Sequence, residues 1–157
     1  MRIRIVVVGK TDGGYITDGV SDYLKRISRY NPVELRVVPY LKNSKALTPE
    51  QQCQREGEQV LTALNPASEV VILDERGDNY TSCEFARWVE ARMLLGIKEL
   101  TFVIGGAYGF SQAVRQRASA TIALSRLTFS HQMVRLIFAE QLYRAFTIIR
   151  GEPYHHQ

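Results

Sequence analysis

The chain of 157 residues is long enough to bury the core of one domain and too short for a second domain of ordinary size. Hydrophobic residues at 45% and charged residues at 23% are typical of a globular protein, and no stretch approaches the roughly 18 apolar residues that a membrane span needs. The net charge of +4 arises after residue 100, where six arginines stand against two acidic residues. We therefore expect a single cytoplasmic domain over residues 1–157, without a membrane partner.

Strand and helix patterns alternate along the whole chain. In chain order they predict strand 3–9, helix 17–30, strand 33–38, a helix opening at Thr48, strand 69–74, a helix opening at Thr81 and ending near Gly96, strand 100–106, a short helix near Ser111, strand 120–125 and helix 132–150. Thr48 with Gln51, and Thr81 with Glu84, form capping-box patterns. The alternation predicts an α/β fold with a mostly parallel sheet and helices on both faces.

In sheets of this type ligands bind beyond the carboxyl ends of the strands. The loops to inspect are therefore residues 74–80, 105–111 and 125–131. The second of them lies in the segment FVIGGAYGFS, residues 102–111, which contains three glycines. A glycine-rich loop directly after a strand is a candidate for phosphate binding, for close approach of another ligand, or for a simple turn.

The glycine spacing does not match the phosphate-binding motifs. A dinucleotide fingerprint needs G-x-G-x-x-G after the first strand, whereas here Gly105, Gly106 and Gly109 follow the fourth. The GKT at residues 9–11 imitates a Walker loop, but the first glycine of that motif would fall on Arg4. What remains is a main chain that a flat ligand can approach, or two tight turns without a ligand.

A cleft lies between residues 105–111 and 124–131 if the fourth and fifth strands are neighbours. Its apolar walls would come from Leu73, Leu124, Leu127 and Phe129. Main-chain donors and acceptors of the two loops would face the same space, an arrangement that suits a heterocyclic ligand.

The last predicted helix carries apolar residues around its whole circumference, so a single buried stripe does not accommodate them. The helix is either central to the core or shared with another subunit. Because helices of such sheets lie on the outer faces, we favour a homodimer that uses this helix.

Neither the cysteines nor the histidines predict a metal site. Cys53 and Cys83 lie 30 positions apart without a CxxC motif, and the three histidines, His131, His155 and His156, form no HExxH pattern. The six arginines after residue 100 indicate either phosphate recognition or a solvated helix face: Arg115, Arg117, Arg126, Arg135, Arg144 and Arg150.

Three separated motifs carry a resemblance to a known family. FVIGGAYGFS, LSRLTFSHQMVRLIFAEQLYRAF and the closing RGEPYHH occur in order in a chain of matching length. They resemble the ribosomal RNA large subunit methyltransferase H family of the SPOUT class. The resemblance covers the chain from its first strand to its tail.

The resemblance implies a dimer with a C-terminal trefoil knot and S-adenosylmethionine as cofactor. The implied substrate is N3 of a pseudouridine in 23S ribosomal RNA, within the large subunit or the assembled ribosome. The implied cofactor-binding residues are Leu73, Gly105, Leu124, Ser125, Arg126, Leu127, Thr128 and Phe129. No metal is implied.

Transfer of a sulfonium methyl group to a ring nitrogen needs mainly alignment. Tyr154 or His155 of the tail are candidates to steer or accept the N3 proton, and Arg144 is a candidate to hold a phosphate or base carbonyl. Arg144 has an alternative role in an ion pair with Glu140, four residues earlier. For His131 we favour a solvent-facing position over catalysis.

Two other functions remain open at this point. A nucleotide-dependent oxidoreductase on a Rossmann-like sheet would share the strand–helix alternation. The absence of a G-x-G-x-x-G motif after the first strand counts against this function. A non-catalytic RNA-binding protein would account for the arginines but leaves the glycine loop without a purpose.

Overall fold

The computed structural model describes residues 1–156 and contains a five-stranded sheet in which every strand pair is parallel. The strands are β1 (Arg2–Val8), β2 (Val33–Val38), β3 (Glu69–Asn79), β4 (Glu99–Ile104) and β5 (Ala120–Ala123). The helices are α1 (Gly14–Ile27), α2 (Pro49–Ala63), α3 (Ser82–Leu94), α4 (Gln112–Arg117) and α5 (Met133–Arg150). A 3₁₀ turn spans Ser44–Ala46. The predicted α/β class and the ten predicted elements are confirmed.

Local signals set the helix ends as the sequence predicts. The Thr48 and Thr81 hydroxyls accept hydrogen bonds from the backbone N–H groups of Gln51 and Glu84, and both capping boxes are complete. The last helix, α5, ends at Gly151, which adopts the left-handed conformation with φ of 67°. These caps satisfy backbone groups that a helix leaves unpaired at its ends.

Helices cover both faces of the sheet. On one face α1, α3 and α5 pack over apolar side chains that include Ile5, Phe102 and Ile122. On the other face α2 and α4 pack over the alternate residues of the same strands, such as Val6 and Val103. Both faces of the strands are therefore buried, as in other parallel α/β sheets.

The strand order corrects one expectation. The order is β2-β1-β4-β3-β5, so β3 lies between β4 and β5, and the fourth and fifth strands are not neighbours. Strand periodicity predicts which face of a strand is buried but carries no information about which strand lies beside it. The loops after β4 and β5 still approach each other across the end of β3.

The third strand is longer than predicted and changes register partway. Leu73 and Asp78 both pair with Ile122, so residues 74–77 bulge out of the ladder at the carboxyl edge. A Cβ on Gly77 would lie 2.6 Å from the backbone carbonyl carbon and oxygen of Thr121, so only glycine fits this close backbone approach. The bulge places acidic residues above the end of the sheet.

Helix α5 is both a core helix and a partly uncovered one. Phe138, Leu142 and Phe146 are at most 1% exposed and pack in the main core with α1 and α3. Met133 and Ile137 lie on the side of the helix away from these residues and are only partly buried, whereas the partly buried Ile148 packs against the core. Intramolecular packing thus accounts for part of the apolar circumference, and the homodimer stays a prediction.

Candidate functional site

A cavity of about 470 Å³ opens at the carboxyl edge of the sheet, between the loops that follow β3, β4 and β5. Seven of the eight predicted cofactor-binding residues line it: Leu73, Gly105, Leu124, Ser125, Leu127, Thr128 and Phe129. Arg126 is exposed and does not line the cavity. The volume lies within the range of about 300–1,000 Å³ found for small-molecule sites.

The glycines of the loop after β4 determine the conformation of that loop. A Cβ on Gly105 would lie 3.0 Å from the carbonyl oxygen of Gly109 and 3.2 Å from the Phe110 ring. Gly106 accepts a hydrogen bond from the Gly109 N–H at 3.1 Å, and Gly109 has a positive φ of 75°. The glycines therefore permit a tight turn, and the backbone of that turn forms one wall of the cavity.

A buried carboxylate supports this turn from behind. Glu56 of α2 is 3% exposed, and a Cβ on Gly106 would lie 2.6 Å from its Oε2. Its Oε1 accepts a hydrogen bond from the Gln52 side chain at 2.8 Å, whereas Oε2 has no hydrogen-bond partner among the described residues. Glu56 therefore occupies the space that a side chain at Gly106 would need. The spacing of the glycines did not predict this contact.

The cavity also contains polar groups that the sequence did not single out. Asp74 accepts a hydrogen bond from the Arg115 guanidinium at 2.6 Å, and Glu75 accepts one from the Thr128 hydroxyl at 2.7 Å. Burial raises the pKa of Asp74, but the Arg76 N–H and the Arg115 guanidinium outweigh it and hold that pKa below its usual value. The sequence feature that could have predicted these groups is the pair of acidic residues, Asp74 and Glu75, directly after a buried run of strand residues.

His131 is not the solvent-facing residue that we favoured from the sequence. It is half-buried, lines the cavity, and its Nε2 lies 3.4 Å from the hydroxyl of Tyr40. The loop after β2, which carries Tyr40, reaches over to the start of α5. This long-range packing decides the position of His131, and a pattern of neighbouring residues does not encode it.

The predicted catalytic residues form a separate cluster at the far end of α5. Arg144 donates to Glu140 at 2.6 Å and lies 3.3 Å from Nδ1 of His155. The Tyr154 hydroxyl donates to the same Glu140 oxygen at 3.1 Å, and the Arg144 guanidinium lies 4.8 Å from the Tyr154 ring centre. The ion pair that we considered as an alternative for Arg144 is therefore present.

The cluster keeps Tyr154 in its neutral form. Burial raises the pKa of Tyr154, and its hydrogen bonds to Tyr23 and Glu140 raise it further. A phenol that donates to a carboxylate does not act as a proton acceptor at neutral pH. Of the two tail residues considered for the N3 proton, His155 is then the better candidate to accept it.

None of these three residues lines the cavity within one chain. Val134 lines the cavity at the start of α5, and Arg144 follows it by ten residues on the same helix. At about 1.5 Å of rise per residue this corresponds to roughly 15 Å along the helix axis. A single chain thus holds two separate sets of candidate functional residues.

The arginines after residue 100 are mostly engaged inside the chain. Arg135 is 2% exposed and donates to the carbonyl oxygens of Val8 at 2.6 Å and Gly9 at 3.0 Å. Arg117 donates to three carbonyl oxygens of the α2–β3 loop. Arg115 and Arg144 are in ion pairs, which leaves Arg126 and Arg150 exposed without a salt bridge among residues 1–156. Neither alternative, phosphate recognition or a solvated helix face, describes all six arginines, because Arg135 is buried and three others have partners within the chain.

Residues 1–156 lack both a metal-ligand cluster and a membrane-spanning helix. They contain no group of three or more His, Cys, Asp or Glu side chains placed to hold a metal ion. None of the helices in this part of the chain is long and apolar enough to cross a membrane.

Comparison with known proteins supports the resemblance seen in the sequence. The family model described as "Predicted SPOUT methyltransferase" matches residues 1–155. The chain is 50% identical to a Parabacteroides distasonis protein named "Ribosomal RNA large subunit methyltransferase H", over 100% of both chains. Proteins of the same name from Porphyromonas gingivalis and Flavobacterium johnsoniae are each 46% identical over the full length of both chains.

Among solved structures, the fold matches a probable methyltransferase from Bordetella pertussis Tohama I. The TM-score is 0.57 at 15% sequence identity, and the match covers 92% of this chain and 95% of the other. At this identity the likeness concerns the fold alone. Because a family model spans nearly the whole chain and full-length relatives are 46–50% identical, this chain belongs to the ribosomal RNA large subunit methyltransferase H family of SPOUT methyltransferases.

Proposed function

We propose that this protein transfers a methyl group from S-adenosylmethionine to N3 of a pseudouridine in 23S ribosomal RNA. The observation that carries the proposal is the cavity at the carboxyl edge, lined by seven of the eight residues expected to hold the cofactor. The names of the full-length relatives supply the substrate class, ribosomal RNA of the large subunit. The reaction belongs in the cytoplasm, where ribosomes are assembled.

The residues of the cavity fit the proposed cofactor. Apolar side chains of Leu73, Leu127 and Phe129 suit a flat nucleoside, and the exposed backbone of the β4 loop offers hydrogen-bonding groups. Glu75 supplies a carboxylate beside the same space, which complements a cationic ligand, whereas the charge of Asp74 is balanced by Arg115. When bound, S-adenosylmethionine supplies an electrophilic methyl group, so no protein nucleophile is needed.

The protein's own part of the chemistry is then alignment and removal of one proton. N3 forms a bond to the methyl carbon as the carbon–sulfur bond breaks, and the N3 proton leaves to a base. Proximity and orientation account for about 7–11 kcal/mol of barrier reduction in well-aligned reactions. We assign His155 as the proton acceptor, Tyr154 as a stacking partner for the base, and Arg144 as the group that holds a base carbonyl or a phosphate.

This assignment requires a second copy of the chain. Arg144, Tyr154 and His155 lie apart from the cavity of their own chain, whereas a tail of six residues reaches at most ~20 Å. We therefore propose a homodimer through the outward face of α5, in which the tail of one subunit completes the cavity of its partner. The partly buried Met133 and Ile137 on that face support such an interface. The knot stays a prediction of the resemblance.

Cofactor binding is tested by a pair of leucine variants. Leu127 lines the cavity and is 72% exposed, so Leu127→Arg places a cation in the cavity without disturbing the core. Leu94, which is 83% exposed at the end of α3, provides the matched control Leu94→Arg. Calorimetry is expected to show at least tenfold weaker S-adenosylmethionine binding for Leu127→Arg and unchanged binding for the control. Equal affinity in both variants would contradict the cavity assignment.

The reaction itself is tested with labelled S-adenosylmethionine and three substrates: free 23S rRNA, isolated large subunits and assembled ribosomes. We expect methyl uptake by the large subunit or the assembled ribosome, at N3 of a pseudouridine. A parallel titration with NADH separates the oxidoreductase alternative, since that enzyme would bind NADH and transfer no methyl group. Absence of methyl uptake by all three substrates would contradict the proposed function.

A further inference from the structure

The loops that follow β1 and β2 form a basic and aromatic surface beside the cavity, which the proposed reaction has not used. Its residues are Lys10 of the first loop and Tyr40, Lys42 and Lys45 of the second, and all four are exposed. We call this set the Tyr40 surface. Because β1 and β2 are parallel neighbours, their following loops emerge at the same edge of the sheet as the cavity.

Tyr40 is held in a defined position although 47% of it is exposed. A Cβ at Gly9 would lie 2.0 Å from the ring carbon Cζ of Tyr40, so the ring packs directly against the Gly9 backbone. The buried Gln132 side chain donates to the Lys10 carbonyl at 3.1 Å and lies 3.4 Å from the Tyr40 hydroxyl. The two loops are thus tied together and to α5, while the remaining ring surface of Tyr40 is open to solvent.

The surface continues into the cavity through a single residue. His131 lies 3.4 Å from the Tyr40 hydroxyl and also lines the cavity. Tyr108, which is 50% exposed, lies in the wall of the same cavity. A strand of nucleic acid whose target base enters the cavity would therefore pass over or near Tyr40.

The positive charges of the Tyr40 surface are available to bind the phosphates of such a strand. Within residues 1–156, Lys10, Lys42 and Lys45 form no salt bridge, in contrast to the paired Arg115 and Arg144. The carboxylates nearest in sequence to Lys10 and Lys45 are Asp12 and Glu50; both are exposed, and neither forms a salt bridge within residues 1–156. Unpaired lysines around an exposed aromatic ring are the arrangement that binds single-stranded nucleic acid without sequence preference.

We propose that the Tyr40 surface binds single-stranded ribosomal RNA that flanks the target nucleotide. Tyr40 stacks on one base, and Lys10, Lys42 and Lys45 contact the phosphates on either side. This inference rests on the proposed function for the identity of the RNA. It assigns RNA binding to a surface outside both the cavity and the tail cluster, and to lysines in the first third of the chain.

The charge part of the proposal is tested with two double variants. Lys42→Glu with Lys45→Glu changes the Tyr40 surface, and Lys25→Glu with Lys98→Glu makes the same charge change at exposed positions near the amino edge of the sheet. The probe is a fluorescein-labelled single-stranded RNA of about 12 nucleotides, a length within the range of single-strand sites. Binding is followed by fluorescence anisotropy over a series of salt concentrations.

Each phosphate contact to single-stranded nucleic acid contributes about 0.7 to the salt slope. Loss of two contacts is therefore expected to lower the slope by about 1.4 and to weaken binding roughly 25-fold at about 0.1 M salt. The amino-edge control is expected to retain the wild-type slope. Equal losses in the two double variants would show only a general effect of net charge and would overturn the proposal.

The stacking part is tested at Tyr40 with a conservative control. Tyr40→Phe retains the ring, and Tyr40→Ala removes it. We expect roughly tenfold weaker RNA binding for Tyr40→Ala, since stacking of one base contributes about 1–3 kcal/mol, and near wild-type binding for Tyr40→Phe. S-adenosylmethionine affinity, measured on the same preparations, is expected to stay unchanged.

Different outcomes contradict the proposed function and the assignment of the Tyr40 surface. If wild-type protein binds the RNA through the Tyr40 surface but methylates no ribosomal substrate, the proposed function is wrong and the surface assignment stands. If methyl transfer to large subunits or ribosomes is intact in the Lys42→Glu, Lys45→Glu variant and its RNA affinity is also unchanged, the surface assignment is wrong and the proposed function stands.

Discussion

The cavity and the tail cluster differ in how their polar groups are used. The cavity is walled by loop backbone, by apolar side chains and by two polar pairs, Asp74 with Arg115 and Glu75 with Thr128, and these walls enclose a space of about 470 Å³. In the tail cluster, Arg144, Tyr154 and His155 contact each other, and Glu140 accepts hydrogen bonds from two of them. The cavity is shaped to receive a ligand, whereas the cluster is satisfied without one.

One chain therefore keeps the proposed cofactor cavity apart from the residues proposed for catalysis. The cavity depends on loops after β3, β4 and β5, and the cluster depends on the end of α5 and the tail that follows it. Changes at the two regions should therefore have separable effects on cofactor affinity and on methyl transfer. The predictions below test that separation, from the largest expected effect to the smallest.

Truncation after Gly151 removes the tail and leaves in place all the residues that line the cavity within one chain. We expect methyl transfer to become undetectable, because Tyr154 and His155 are lost, while S-adenosylmethionine affinity changes by less than about threefold, or ~0.7 kcal/mol. Both quantities are measured on one preparation, by calorimetry and by labelled methyl uptake. A chain shortened by a single C-terminal residue is the control, and full activity in the chain truncated after Gly151 would contradict the catalytic role of the tail.

Two adjacent residues of α5 separate the core from the proposed interface. Phe138 is 0% exposed, and truncation of a buried Phe alone costs about 3–5 kcal/mol, so Phe138→Asp is expected to unfold the chain. Ile137 lies on the partly buried outer side, so Ile137→Asp is expected to give folded monomers without transfer activity. Circular dichroism and sedimentation distinguish these outcomes. A wild-type protein that sediments as a monomer at micromolar concentration would contradict the dimer.

Arg135 anchors the cavity end of α5, and its removal should destabilise the fold. Burial lowers the pKa of its guanidinium, and the donors are satisfied by the backbone at the end of β1. Arg135→Met leaves these buried carbonyl groups without a charged donor, and we expect a loss of about 3 kcal/mol in the free energy of unfolding. The half-buried Arg117, changed to Met, should cost about 1 kcal/mol. Denaturant unfolding measures the free energy of unfolding of both variants. Equal losses would show that the burial of Arg135 against β1 adds nothing to its contribution to stability.

The smallest expected effect concerns Asp74 and pH. The folded-state pKa of Asp74 lies below its usual value, so its pairing with Arg115 stabilises the fold above the unfolded pKa of about 3.9 and is lost as pH falls through the lower folded value. Asp74→Asn should therefore lower the free energy of unfolding by at most about 1 kcal/mol near neutral pH, since Arg115 is partly exposed. The difference from wild type should vanish at acidic pH. A difference that persists at pH 2 would contradict this assignment.

Some residues of the candidate site could be predicted from the sequence, and others could not. Leu73 lies in β3 just before its bulge, and Gly105 and the residues around Leu127 follow the ends of β4 and β5; such positions meet at one edge of a parallel sheet. Glu56 and His131 were missed or misplaced because their positions depend on packing between distant segments, α2 under the β4 loop and Tyr40 over α5. The bulge at residues 74–77, which brings Asp74 and Glu75 to the cavity, also depends on packing between distant segments, here the pairing of β3 with β5.

The sequence by itself determined the ten helices and strands, both capping boxes and the end of α5 at Gly151, because these depend on hydrogen bonds and side-chain periodicity within a few residues. Tertiary structure alone decided that β3 lies between β4 and β5, that Arg135 is buried against β1, and that Arg115 pairs with Asp74 at the cavity. Strand order and the partners of a charged side chain follow from which distant surfaces bury the most apolar area together. That competition involves the whole chain at once, so no local pattern records its result.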